Sequence, residues 1–169
     1  MSKEIFSSTG FTSHVRIDKR NNTVEKTIKP IWIKIDPGLI EREVYFLKKM
    51  HLSTRTPDLI SYNSSTRTIT MTYKGVQLTK ENMPSDYADQ INSIIKDLKR
   101  SKCCHNDITP TQLLLQHGQI NIIDGGWATI ENQPIPANWG KAIGGRFKKG
   151  VHQFDDEYSL NKSIQHILQ

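Results

Sequence analysis

Apolar and polar residues alternate singly through much of the first third of the chain, which is the period of a half-buried strand. SHVRID and TVEKTIK show this on either side of KRNN, a turn of basic residues and Asn, and together they read as a hairpin. In the second strand Val24, Lys26 and Ile28 share one face, while Glu25, Thr27 and Lys29 share the other. The period then changes. In DPGLIEREVYFLKKM, residues Ile40, Val44 and Leu47 recur at helical spacing, with Asp36 as the expected N-cap and Pro37 as the first helical residue. Glu43 falls on the edge of that stripe and Glu41 well outside it. TPDLISYNSSTRTITMTYKG returns to alternation, setting Thr68, Thr70 and Thr72 against Ile69, Met71 and Tyr73, with NSST as the turn.

After Gly75 the composition shifts, and residues 76–84 form a candidate hinge. PSDYADQINSIIKDLKRSK predicts a helix capped by Ser85, with Asp86 and Asp89 in its first turn and Lys99, Arg100 and Lys102 at its end. Its buried face is Tyr87, Ile91, Ile94, Ile95 and Leu98. The apolar runs LLL and INII flank HGQ as a tight hairpin. WATIENQPIPANWGKAIGGRFKKG contains Pro and Gly without a clear period and predicts a long loop. HQFDDEYSLNKSIQHIL predicts a closing helix, with Tyr158, Leu160, Ile164, Ile167 and Leu168 mostly to one side.

A chain of 169 residues makes one domain, or two small lobes around a cleft. With 36% hydrophobic and 24% charged residues it fits the expectation of a soluble globular protein. No segment approaches the apolar length of a membrane span, and MSKEIFSSTG lacks the apolar core of a signal peptide. Cys103 and Cys104 are adjacent, where a mutual disulfide is strained, so reduced thiols and a cytoplasmic location are expected. The net charge of +6 suits nucleic acid and phosphorylated ligands alike. The chain has no repeat and no low-complexity tract.

The candidate chemistry centres on two aspartates, Asp107 and Asp124, on either side of the LLL–INII hairpin. A hairpin holds both acids on one rim, and carboxylates facing a common cleft call for a cation such as a metal ion. Lys26, between two apolar residues on its strand face, points toward the interior; the alternative is a stem lying on apolar surface with its amine in water. Glu43 is either the acid that faces another element or a solvated rim residue. In chain order, an inward lysine, a helical glutamate and two aspartates compose a phosphate site. Lys26 would grip phosphates with Glu43 as its counter-ion, Asp124 would hold Mg²⁺, and Asp107 would accept or orient the proton of an attacking hydroxyl.

At these residues the sequence resembles the protein-kinase-like superfamily. HNDITPTQ is similar to the catalytic loop H-R-D-x-x-x-x-N, and IIDGG to the segment containing D-F-G. The form D-I-T-P-T-Q is closer to small atypical kinases such as the KEOPS-associated kinase, with D-L-T-T-S-N, than to typical serine/threonine kinases, which carry lysine where Thr109 stands. The Rio and aminoglycoside phosphotransferase-like kinases share this flavour. DDEYSL resembles the D-x-W-S-x-G that opens a central lower-lobe helix, and on that match Asp156 braces the backbone of the catalytic loop. His105 would pack and hydrogen-bond beneath that loop rather than act in chemistry.

The resemblance implies a fold of the α+β class, a minimal two-lobed kinase-like domain. Residues 1–74 would form an upper lobe of antiparallel sheet plus one helix, and residues 75–169 a reduced, mainly helical lower lobe. It implies ATP and Mg²⁺, with adenine near Thr72 to Gly75, Tyr73 among them, and the phosphates near Lys26 and Asp124. The nucleotide-covering loop SSTGFTSHV has Gly10 as its one glycine and offers Thr12 and Ser13 as hydroxyl donors. Gln112 replaces the second metal-ligand asparagine, with a stem one methylene longer, and Gly125 replaces the phenylalanine of D-F-G. On this resemblance, a chain ending at the helix that carries Asp156 would lack the rest of a full kinase lower lobe, where protein kinases hold peptide substrates.

The expected activity is phosphoryl transfer to a hydroxyl, on a protein serine or threonine. The alternatives are a pseudokinase acting as a regulatory module, which Gln112 and Gly125 favour, and a nucleic-acid-associated module using the basic run GRFKKG. No aromatic-rich strand motif supports the last. A zinc site from Cys103, Cys104 and His105 is disfavoured because neighbouring residues rarely converge on one tetrahedral ion.

Overall fold

The alternating segments pair as their periodicity requires. In the computed structural model, which describes residues 5–130 and 155–169, the first part of the chain forms an antiparallel sheet in the order β1-β2-β3-β5-β4. These strands are β1 (Ile5–Thr9), β2 (Ser13–Asp18), β3 (Thr23–Ile28), β4 (Leu59–Asn63) and β5 (Thr68–Thr72). Both expected hairpins are present, β2 against β3 and β4 against β5. On β3 the alternation buries Lys26 and Ile28, and the facing strand β5 buries Ile69 and Met71.

Between β3 and β4 lie two helices where the sequence predicted one: α1 (Pro30–Ile35) and α2 (Leu39–Lys49). Pro30 opens α1 as a first-turn proline with fixed φ, following Lys29 in extended backbone. Asp36 is thus the C-cap of α1 rather than the N-cap of α2, and Gly38 precedes α2 without a side-chain cap bond. The Asp36 carboxylate instead engages the Arg42 guanidinium through both oxygens. Helix α2 buries Ile40, Val44 and Leu47 as expected, together with Leu39, Glu43 and Phe46. Glu43 therefore belongs to the interior, not the rim.

The rest of the described chain forms smaller sheets and two longer helices. Strand β6 (Val76–Gln77) joins β8 (Leu113–Gln116) and β9 (Gln119–Ile122) in the order β6-β8-β9, so part of the candidate hinge segment is a sheet edge. At Gly75, φ is +106° and an added Cβ would lie 2.0 Å from the Leu115 carbonyl oxygen, so only glycine lets the chain enter β6 there. Helix α3 (Tyr87–Ser101) buries Ile91, Ile94, Ile95 and Leu98 as the stripe predicts, with Gln90 added and Tyr87 half-buried. Its N-cap is Asp86 rather than Ser85, again without a side-chain bond.

Strand β7 (Cys103–Cys104) pairs with β10 (Thr129–Ile130), and both cysteines are free thiols. The segment expected to be irregular from Trp127 onward is thus ordered at its start, in the 3-10 turn Gly125–Trp127 and in β10. The rest of that loop, with the basic run at 145–150, lies outside the described residues. Helix α4 (Asp156–Leu168) begins at Asp155, whose carboxylate accepts the Tyr158 N–H at 2.8 Å.

The fold is thus mixed α+β. One hydrophobic cluster runs from Ile28 and Ile69 of the large sheet through Phe46 and Leu47 of α2 to Ile94, Leu98, Ile120 and Leu160. No described helix is long and apolar enough to cross a membrane.

Candidate functional site

Strand alternation turns Lys26 inward, and burial of an ammonium requires compensating charge. Two acids provide it. The Lys26 Nζ lies 2.7 Å from Glu43 Oε2 on α2 and 2.6 Å from Asp124 Oδ1, which follows β9. The Lys26 and Glu43 side chains are 7% and 1% exposed, whereas that of Asp124 is 37% exposed and borders open space. Burial alone would lower the lysine, but Asp124 and Glu43 outweigh it and hold Lys26 above the ordinary lysine range. Burial pushes Glu43 up despite Lys26. At Asp124 burial also acts upward, but the adjacent ammonium prevails and the carboxyl stays below its usual range. The result is one buried cation held between a desolvated acid and a partly open one whose carboxyl lies below its usual range.

The hairpin β8–β9 brings the second aspartate to the same place. Leu113 pairs with Ile122, so the antiparallel return delivers Asp124 to the end where the Asp107 segment enters. His105 joins the two segments. The Asp107 N–H donates to His105 Nδ1 at 3.3 Å, which makes Nδ1 an acceptor and leaves Nε2–H to donate to the Ile123 carbonyl at 2.9 Å. The ring is fully buried and meets Phe46 edge-on at 5.4 Å. Beneath the loop, Asp156 of α4 accepts the His105 N–H at 2.6 Å and the Asn106 N–H at 2.9 Å. Burial pushes Asp156 up against these favourable bonds. His105 and Asp156 thus both hydrogen-bond to backbone of the segments that carry Asp107 and Asp124.

A cleft of about 710 Å³ opens between the large sheet and this loop region. It is lined by Gly10, Thr12, Ser13, Lys26, Glu43, Tyr73, Asp107, Gln112 and Asp124, the expected phosphate, metal and base-end residues together. Val24, Met71, Leu114 and Ile123 supply apolar walls, and burial pushes the Tyr73 phenol up. The volume falls in the range of small-molecule and cofactor sites.

Gln112 lies in this lining, but its amide oxygen is turned back on its own turn. It accepts the Thr109 N–H at 3.1 Å and the Thr109 hydroxyl in a capping box around Pro110–Gln112. The supposed covering loop is a β1–β2 hairpin with a turn at residues 10–13, where the Gly10 N–H donates to the Ser13 carbonyl at 2.9 Å.

Three residues that shape the site, Arg42, Phe46 and Trp32, escaped the sequence reading, and a fourth, Lys29, was read only as an outward strand residue. Arg42 donates from Nε to the Gly126 carbonyl at 2.9 Å, fixing the segment after Asp124. Phe46 occupies the space beside Gly125, where an added Cβ would lie 2.3 Å from the ring. A helix residue therefore fills the place that a phenylalanine at 125 would need. Lys29 and Trp32 bind the turn at residues 10–13. The signal for these two was Pro30 directly after β3, a helix-start residue; nothing local marked Arg42 or Phe46.

Among the described residues no three His, Cys, Asp or Glu side chains converge as a metal cage. Of the two acids on Lys26, Asp124 alone keeps exposed surface. No protein-family model matches the chain, and no curated protein matches it.

Proposed function

We propose that the chain is an ATP- and Mg²⁺-dependent phosphotransferase with a minimal two-lobed fold of the protein-kinase-like kind, residues 1–74 above the cleft and 75–169 below. The observation that carries this reading is the Glu43–Lys26–Asp124 bridge on the wall of a cleft that Asp107 also lines. A lysine so held is immobile and keeps its charge, as a group that positions phosphates must. Mg²⁺ at Asp124 would neutralise charge on the transferring phosphate.

The remaining work falls to the chain's own residues. Lys26 orients the phosphates. Asp107 accepts the proton of the acceptor hydroxyl as its oxygen bonds to the γ-phosphorus, while the bond from that phosphorus to the bridging oxygen breaks and ADP leaves. A protein serine or threonine is the acceptor class we favour. The test is single-turnover transfer from labelled ATP with Mg²⁺ to candidate acceptors. Lys26→Met should abolish transfer in a folded protein, whereas Lys29→Met should leave the chemical step largely intact. The reverse result would sink the assignment.

A second reading, a pseudokinase that binds nucleotide without turnover, is favoured by the Gln112 amide oxygen being engaged with Thr109. It predicts MgATP binding with no labelled product under any acceptor condition.

A further inference from the structure

The turn over the phosphate end of the cleft has one glycine, yet its backbone is fixed from outside. All three carbonyls of residues 10–12 are taken. Lys29 Nζ donates to the Gly10 carbonyl and, at 3.1 Å, to that of Phe11. Trp32 Nε1 donates to the Phe11 carbonyl at 3.2 Å, and the Lys29 N–H to that of Thr12 at 3.0 Å. Carbonyl oxygens repel a polyanion and N–H groups attract it, so a turn facing phosphates works best with its carbonyls engaged elsewhere. Lys29, the residue before helix α1, and Trp32 within that helix, which is absent from the sequence reading, supply the donors.

The same tryptophan reaches the other side of the site. Trp32 is 9% exposed and packs edge-on against Trp127 at 6.3 Å and 88°. It also meets the ring of Phe11, itself 77% exposed, at 5.1 Å. Trp127 closes the turn that begins at Asp124, and its carbonyl accepts Asn106 Nδ2 at 2.8 Å. The Arg42 guanidinium lies 5.8 Å from the Trp127 ring. An aromatic row, Phe11–Trp32–Trp127, thus joins the turn at residues 10–13 to the segment carrying Asp124.

We infer that Trp32 is a positioning residue: it sets the covering turn against the Asp124 segment, so that both meet the phosphates of a nucleotide together. Lys29 assists by holding the turn's carbonyls outward. The inference rests on the phosphoryl-transfer reading of the cleft.

Equilibrium binding of MgATP and of adenosine to the full chain tests it, in the native protein and in Trp32→Phe and Lys29→Gln. Adenosine has no phosphates and reports on the base end alone. Trp32→Phe keeps an aromatic ring and loses the N–H donor, so MgATP affinity should fall about fivefold, the size of one neutral hydrogen bond, with adenosine affinity unchanged. Lys29→Gln, at a half-buried position, should weaken MgATP by about tenfold through loss of charge-assisted bonds, again sparing adenosine.

Equal losses for both ligands would show a merely structural role and overturn the inference. So would unchanged MgATP affinity in both variants, even where the native protein transfers phosphate normally. If the native protein binds neither ligand, the phosphoryl-transfer reading falls and takes this inference with it, a result seen before any variant is measured.

Discussion

Two segments meet at the cleft, and they are held by different forces. The segment at residues 124–127 is fixed by charge and side-chain packing: Lys26 on Asp124, Arg42 on the Gly126 carbonyl, and Phe46 against Gly125. The loop at residues 105–112 is fixed by backbone hydrogen bonds: Asp156 accepts from His105 and Asn106, and Thr109 binds Gln112. The difference appears in two buried-side carboxylates. Asp124 has the Lys26 ammonium beside it and lies below the usual range, whereas at Asp156 burial outweighs the His105 ring and the two backbone N–H donors and pushes the carboxyl up. An acid compensated by charge keeps part of its surface for a ligand. One compensated by backbone is used up in holding the loop.

The largest effect that would sharpen this contrast is on Asp107, which belongs to the backbone-held loop but faces the cleft. Asp107→Asn keeps size and loses basicity, so single-turnover transfer should fall by about 10²–10⁴-fold, with MgATP affinity and thermal unfolding little changed. A normal rate in the folded variant would break the proposed mechanism.

Next in size is Asp156→Ala, which leaves two inner N–H groups without their carboxylate. We expect a loss of about 3 kcal/mol in unfolding stability by denaturant titration. A loss below half of that would mean that the loop is held by something other than α4.

Gly125→Ala should cost about 1–3 kcal/mol by overpacking against Phe46, and the double variant Gly125→Ala with Phe46→Leu should recover part of it. Failure of the second change to relieve the first would locate the strain in the backbone instead.

The charge-held segment also has a pH signature. The Asp124 carboxyl is depressed in the folded state, so its stabilising effect is fully present above the unfolded aspartate range and is lost as pH falls through its lower folded value. The melting temperature of the native protein should therefore exceed that of Asp124→Asn most at neutral pH, and the gap should close below about pH 4. A gap that widens in acid would reverse the sign we assign.

Smallest of all is Gln112→Asn. It loses the capping contact to Thr109 and shortens the stem, and should shift stability by no more than about 1 kcal/mol. If it strengthens the Mg²⁺ dependence of nucleotide binding, position 112 is a ligand once freed from its turn.

Much of the site was legible in order along the chain. Period-two alternation put Lys26, and not Lys29, on the inner face, because successive residues of a strand face opposite sides whatever the fold. The apolar runs around HGQ placed Asp107 and Asp124 at one end of a hairpin, since antiparallel return is local geometry. Less legible were the helix boundaries. Asp36-Pro37 carries a start signal that served to end α1 and pair with Arg42, and the PIWIKI run is too short to show a period.

The sequence by itself determined the hairpins β2–β3, β4–β5 and β8–β9, the helices α2, α3 and α4, and the faces on which Lys26, Ile40 and Ile94 lie, because backbone geometry couples neighbours two to four residues apart. Only the tertiary structure decided which acids Lys26 meets, since Asp124 is 98 positions away and is brought there by packing of the sheet on α2 and the β8–β9 hairpin. It also decided that Phe46 takes the room beside Gly125, that the Gln112 oxygen turns to Thr109, and that Trp32 spans from Phe11 to Trp127. Such contacts depend on which surfaces fill space and cancel charge together, and that is a property of the folded whole rather than of any local run of residues.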